Sequence, residues 1–223
     1  MSASNGVQVR PGRRSDLPRI VEMYNHYVLH SACTFEVAPV TVAERSEWFD
    51  SHARGSRYRL LIASDGEDRA LGWATTSVFR PRAAYETTVE ASVYCDPGSL
   101  GLGIGSSLYR ALFEAIEHED IERVVAGVTQ PNAPSIALHE RFGFRVVGTF
   151  SSVGRKFGRY WDVTWLERPR SLPEGRPTGE GRMALSSIAE PPLRLREAPE
   201  PLRGALTGPR GRVREGKRAK PPR

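Results

Sequence analysis

From Asp96 to Leu112 the sequence reads DPGSLGLGIGSSLYRAL, with Gly101, Gly103 and Gly105 at alternate positions ahead of a helical run. Glycine weakens any regular element. Three at a helix start imply backbone that approaches a ligand closely or adopts torsions closed to other residues. After a strand, such a turn suits a phosphate, because N–H groups converge there and the positive end of the helix dipole points outward. Two common phosphate signatures fail. A Walker loop ends in Gly-Lys-Ser/Thr, and here Gly105 is followed by Ser106 and Ser107. A dinucleotide fingerprint begun at Gly101 would need its third glycine at Ser106, and it would open the fold, whereas this turn arrives after several strands and helices. A turn that only rounds a corner stays open from spacing alone.

Just upstream, TTVEASVYC alternates, putting Val89, Ala91, Val93 and Cys95 on one face and Thr88, Glu90, Ser92 and Tyr94 on the other. By alternation alone Glu90 sits on a solvated face; partial burial would raise its pKa towards that of a general base. FRPRAAY sets Arg80, Arg82 and Tyr85 around a stiffening proline, and guanidinium forks hold carboxylates or phosphinates bidentately. Cys95 as an acyl carrier would need an adjacent base, and its face is the apolar one. Cys33 and Cys95 lie far apart, with no CxxC and no histidine cluster, which argues against a disulfide framework and a structural zinc site. No metal is expected. MSASNGVQVR lacks a signal-peptide core and no apolar run is long enough to span a bilayer, so the expectation is a soluble, reduced, cytoplasmic protein without a membrane partner.

These residues need a frame. Val7 to Arg10 reads as a strand, and RRSDLPRIVEMYNHYVLHS as a helix capped by Ser15, with Pro18 in its first turn. TVAERSEWF offers Thr41 and Glu44 at capping-box spacing, predicting a second helix. YRLLIAS, ALGWATTSVF and TTVEASVYC form an antiparallel meander. A helix from Gly105 to about His118 and the strand ERVVAGVT make a crossover, NAPSIALHERFGF is a short helix ending near Gly143, and RVVGTFSSV and YWDVTWLE close the body as strands. The order predicts a mixed α/β layered domain over residues 1–168.

Residues 169–223 differ in kind. They hold no Phe, Trp or Tyr, ten of the 17 prolines, and 13 Lys+Arg against six Asp+Glu, leaving 19 basic and 20 acidic residues for 1–168. The basic balance therefore belongs to the tail. It reads as a disordered Pro/Arg/Gly-rich extension; it could meet nucleic acid through phosphates, but it has no interleaved aromatics to stack on bases.

With the strand before it and NAPSIALHERFGF after it, the glycine turn resembles motifs A and B of the GNAT superfamily of N-acetyltransferases. The blocks YNHYV, TFEVAP, ERSEWF, FRPRAAYETTVEASVY and VGRKFGRYWDV, in order from Val7 to about Glu167, are similar to the phosphinothricin and methionine sulfone/sulfoximine acetyltransferase subfamily. The resemblance implies the GNAT fold, a central mixed, mostly antiparallel sheet flanked by helices. It also implies acetyl-CoA as co-substrate, a small amino-acid acceptor acetylated by direct transfer, and a homodimer. The family turn reads Q/R-x-x-G-x-G/A, with Leu100 standing here at the Gln/Arg position.

By that resemblance Leu100, Gly101, Leu102, Gly103, Ile104, Gly105 and Ser106 hold the CoA pyrophosphate, and Asn132 and Ser135 lie near the pantetheine arm. A main-chain N–H around Tyr94 or Cys95, at the end of the strand through Val93, polarises the thioester carbonyl. Glu90 takes the place of the general base. His139 stands where many members carry the tyrosine that protonates the thiolate, with Tyr94 and Tyr109 as substitutes. Arg80, Arg82 and Tyr85 lie at the acceptor pocket, Phe35 forms an apolar wall, and Lys156 and Trp161 match the last block, where substrate, dimer and packing roles all stay open.

Overall fold

The computed structural model describes residues 6–52 and 55–170. Seven strands form one sheet in the order β1-β2-β3-β4-β5-β7-β6. They are β1 (Gln8–Pro11), β2 (Leu60–Ser64), β3 (Ala70–Val78), β4 (Thr88–Cys95), β5 (Arg123–Thr129), β6 (Arg145–Lys156) and β7 (Arg159–Pro169). All neighbours run antiparallel except β4 and β5, which the crossover helix α3 (Ile104–Ala115) makes parallel. Helices α1 (Leu17–His30), α2 (Ser46–Asp50) and α4 (Ala133–Arg141) complete the domain. The mixed, mostly antiparallel sheet flanked by helices is the architecture the family resemblance implied. Among the described residues no helix is long and apolar enough to cross a membrane.

Two cores sit on opposite faces. On one, Leu108, Tyr109 and Leu112 of α3 pack on Leu61, Ala74, Val89 and Ala91, with Leu138 and Phe142 of α4 at the margin. On the other, Ile20, Met23, Tyr24 and Val28 of α1 pack on Leu60, Ile62 and Trp73. The 3.6-residue repeat of α1 and the two-residue repeat of the strands agree on this division. Local starts and ends differ from expectation. Ser15 does not cap α1: a 3-10 turn over Arg14–Asp16 precedes it, and the Asp16 carboxylate accepts the Arg13 N–H at 2.7 Å and Arg10 Nη1 and Nη2 at 2.8 and 2.9 Å. A buried carboxylate already bridged to a guanidinium outranks a serine as the organiser of that turn. Thr41 and Glu44 do bond reciprocally, Glu44 Oε2 accepting from Thr41 N–H (2.7 Å) and Thr41 Oγ1 from Glu44 N–H (3.2 Å). That box closes a turn, and the α-helix behind it has only five residues.

Strand β7 runs past residue 168 to Pro169, and Arg170 still donates its N–H to Glu122 O (2.9 Å). The rest of the expected tail lies outside the described residues. Three glycines ahead of α3 answer to two different constraints. Gly101 and Gly103 have φ of +79° and +78°, with open space where a Cβ would stand; at Gly105 a Cβ would lie 3.0 Å from Leu138 Cδ2, so its bareness lets α3 approach α4.

Gly103→Ala should therefore cost about 1 kcal/mol through backbone strain alone. Gly105→Val should cost about 1–3 kcal/mol through overpacking on Leu138. Both are read as urea midpoints at unchanged slope; a neutral Gly105→Val would show that α4 yields freely.

Candidate active site

The two halves of the sheet part at their centre. Strand β4 follows β3 from Val89 to Cys95 and β5 follows β7 from Arg123 to Thr129, but β4 meets β5 only at Thr88, Val89 and Glu90. Beyond Glu90 a gap opens, and a cavity of about 320 Å³ occupies it, lined by Ala91, Val93 and Cys95 on one side and Gly127, Val128 and Thr129 on the other. Asp96 N–H goes to Leu71 O at 2.7 Å, on the β3 side. Main-chain groups alternate along a strand, so Tyr94 shares that direction while the N–H groups of Val93 and Cys95 face the gap. Of the two amides suggested by sequence, the Tyr94 amide is thus turned to β3. Its ring stacks on Trp73 at 4.8 Å among the aromatics of α1.

At one end of the gap lies the turn Leu100–Gly105. Gly103, in the left-handed region, is the residue before α3, and open space stands beside the bare α-carbons of Gly101 and Gly103. Leu100 and Leu102 are exposed and Ile104 is buried. Arg141, at the end of α4, donates from Nη1 to Ser106 Oγ at 3.3 Å, bringing a cation beside the turn that Leu100 lacks. Asn132 Oδ1 caps α4 by accepting the Ser135 N–H at 3.2 Å, and both residues line the cavity.

Also lining it is His139, 3% exposed. Its Nδ1 lies 2.7 Å from Ser135 O, a group that only accepts, so the proton sits on Nδ1 and Nε2 accepts from Tyr109 O–H at 2.8 Å. Burial lowers the His139 pKa, opposed in part by the Ser135 carbonyl, and burial raises that of Tyr109 well above the phenol range. The ring reaches the cavity's chemistry only in company with Tyr109. Cys95 has its thiol pushed up to about 11, chiefly by burial, which leaves no thiolate at neutral pH.

Glu90 projects from the face opposite α3, and its surroundings differ from those alternation suggests. It is half-buried, and that desolvation raises its carboxyl pKa against the opposing field of Arg80. Phe79 joins Tyr85 at 5.8 Å and Trp165 at 6.0 Å, so the segment before β4 folds over this end of the sheet. Arg82 precedes the 3-10 turn Ala83–Tyr85, and its exposed guanidinium has no partner among the described residues. Phe35 rests with its ring against Gly154 of β6.

Sequence reasoning missed Tyr27 and Cys33 at the site and left the role of Lys156 open. Tyr27 O–H donates to Cys95 O at 2.7 Å, Cys33 lines the cavity with Asn132 Nδ2 3.6 Å from its Sγ, and Lys156 Nζ donates to Thr34 O at 2.8 Å. Trp161 Nε1 donates to Lys156 O at 3.0 Å. Only tertiary pairing brings these together, and no local pattern announces it. Among the described residues no group of three or more His, Cys, Asp or Glu side chains could hold a metal ion.

Comparison with known proteins identifies the family. Residues 9–165 match the acetyltransferase (GNAT) domain. A phosphinothricin N-acetyltransferase of Streptomyces coelicolor is 52% identical over 170 residues, 76% of this chain and 99% of that protein. An L-methionine sulfoximine/L-methionine sulfone acetyltransferase of Pseudomonas paraeruginosa is 38% identical over 167 residues, 75% of this chain and 94% of that protein. Among solved structures, a phosphinothricin acetyltransferase from Sinorhizobium meliloti in complex with AcCoA superposes with TM-score 0.71 at 32% identity, over 74% of this chain and 89% of its own.

The imidazole environment has a consequence in solution. Burial holds His139 and His52 below the ordinary value of 6.5, so the unfolded chain takes up these protons first. Stability is complete above the unfolded value and falls as pH drops through the depressed folded values. His139→Gln should flatten part of the loss in urea midpoint between about pH 7 and pH 5. Superimposable pH curves would mean that the ring titrates alike in both states.

Proposed function

This chain belongs to the GNAT acetyltransferases, enzymes that take acetyl from acetyl-CoA, and we propose that its acceptor is the α-amino group of a small amino acid of the phosphinothricin or methionine sulfone/sulfoximine kind. The observation that carries the reading is the half-buried Glu90 at the last β4–β5 pair, where the gap begins and where the field of Arg80 reaches its carboxyl.

The thioester of acetyl-CoA supplies an activated acetyl group; the chain's own residues do the rest. Amides at the start of α3, bare at Gly101 and Gly103, suit the pyrophosphate, and Arg141 offers charge where Leu100 cannot. The Val93 and Cys95 N–H groups, fixed by the β3–β4 ladder, donate to the thioester oxygen as charge develops and need no reorganisation. Glu90, made a stronger base than an ordinary glutamate by burial, accepts the ammonium proton directly or through one water. Arg82, with Tyr85 beside it, pairs with the acceptor's carboxylate. The second proton lost by the attacking nitrogen passes to the departing thiolate, and the bonded pair Tyr109 and His139 lines the gap where the thiolate leaves.

The reading extends to assembly and compartment. β6 is an edge strand of 12 residues on which Val147, Phe150, Val153 and the flanking Tyr160 stand exposed, a long apolar edge that monomers rarely leave open. A second copy of the chain covers it, giving a homodimer. Two free thiols, Cys33 exposed and Cys95 half-buried, suit a reducing cytoplasm.

Glu90→Gln keeps the size of the side chain and removes the base. The expected result is near-normal acetyl-CoA binding with kcat/KM on methionine sulfone down by about 100-fold or more at neutral pH, partly recovered as rising pH supplies neutral amine. Wild-type kcat/KM across the profile would return Glu90 to a polar face residue. Arg82→Ala should weaken an amino acid strongly yet barely change turnover of its decarboxylated amine; equal losses on both acceptors would mark the arginine as structural. Phe150→Lys should shift the sedimenting species from dimer to monomer, and an unchanged dimer would move the interface off β6.

A further inference from the structure

The loop from Ser31 to Val40 has no regular structure, yet it is held from several directions. Tyr24 Oη and Thr34 Oγ1 are 2.6 Å apart, Tyr94 O–H donates to Cys33 O at 3.4 Å, and Asn25 bonds both main-chain groups of Val40 at 2.8 and 2.9 Å. The remaining hold comes from the far end of the chain. Lys156 Nζ, on a lysine only 4% exposed, donates to Thr34 O at 2.8 Å and has no ion-pair partner within bonding distance among the described residues. A buried ammonium without a carboxylate is costly, so a hairpin needing only to pack would carry an apolar residue there.

Two residues earlier on the same strand is Gly154. A Cβ at this position would lie 2.1 Å from Phe35 Cζ and 2.3 Å from Cε2, so the Phe35 ring rests directly on the backbone of β6. Glycine in a strand interior is unfavourable unless something approaches that closely. A bulge sets up the seat: the β6–β7 register shifts between Phe150 and Gly154, with Ser152 at φ 55° and its N–H on Asp162 Oδ1 at 2.7 Å. Cys33, two residues before Phe35, lines the cavity in the sheet gap.

We infer that Gly154 and Lys156 on the β6–β7 hairpin determine acceptor specificity, by fixing how far the wall Cys33–Phe35 stands from the gap and so the side-chain length admitted. The inference rests on the amino-acid acceptor proposed above. A methyl at 154 forces the Phe35 ring off its seat, and loss of the Lys156 ammonium frees the Thr34 carbonyl; neither touches the glycine turn that faces the donor.

The test uses the full chain with acetyl-CoA and two acceptors of different length, alanine and methionine sulfone, followed by thiol release. Gly154→Ala and Lys156→Met should each change the ratio of kcat/KM for the two acceptors by about tenfold or more, with KM for acetyl-CoA within about twofold of wild type. Because the three atoms nearest the new methyl all belong to the Phe35 ring, Gly154→Ala should add little in a Phe35→Ala background. An unchanged ratio in folded single variants overturns the inference, as does a uniform loss on both acceptors and on acetyl-CoA. If Gly154→Ala fails to fold, Lys156→Met and Phe35→Ala decide by the same ratio. A wild-type enzyme that acetylates neither amino acid, yet turns over another amine, overturns the acceptor reading itself and this inference with it.

Discussion

Strands β4 and β5 pair through three residues and then part, and nearly every functional feature of the domain follows from that separation. Each strand has a better partner on its other side, seven register pairs with β3 and seven with β7 respectively. Parallel pairing is the weaker kind per residue, so the crossover is where a sheet of this order parts most cheaply. Main-chain N–H groups that would otherwise be consumed in a ladder are left facing a cavity. A central gap in an otherwise continuous sheet is also a route between the two faces. One face carries α3, α4, Tyr109 and His139; the other carries α1, Tyr94 and Glu90.

The division of faces separates two electrostatic tasks. On the α3 side the fixed charges are partial ones, helix amides and strand amides, with Arg141 at the rim. On the α1 side the groups are titratable. Desolvation moves Glu90 towards the neutral acid, and Arg80 pulls the other way. Since desolvation is the larger cause, the carboxyl keeps a raised pKa. A base with a raised pKa accepts a proton from an ammonium more readily than an ordinary glutamate does. Arg80 therefore tempers the pKa of Glu90.

Much of this was legible locally. Element order, the crossover and the glycine turn are short-range patterns, and each produces its structure through torsions or periodicity within about ten residues. The alternate glycines announced close approach or unusual torsions, and Gly101 and Gly103 have the torsions, whereas Gly105 is bare on account of Leu138, 33 positions away, which no local rule contains. Alternation put Glu90 on a polar face but could not show that the Phe79–Tyr85 segment folds over that end of the sheet. Alternation also could not direct the Tyr94 amide to β3, because register depends on the partner strand. Lys156 and Thr34 stand 122 residues apart, and their contact exists only once β6 and β7 have paired.

That last contact couples the edge of the sheet to its centre. β6 is the outermost strand, with apolar side chains exposed along it, yet its far end carries the ammonium and the bare α-carbon on which the loop beside the gap rests. An edge strand alone frays, since half of its main-chain groups lack partners. A second chain laid along β6 would remove that freedom and, through Gly154 and Lys156, stiffen the wall containing Cys33. Assembly and acceptor recognition, as proposed above, would then share one physical element.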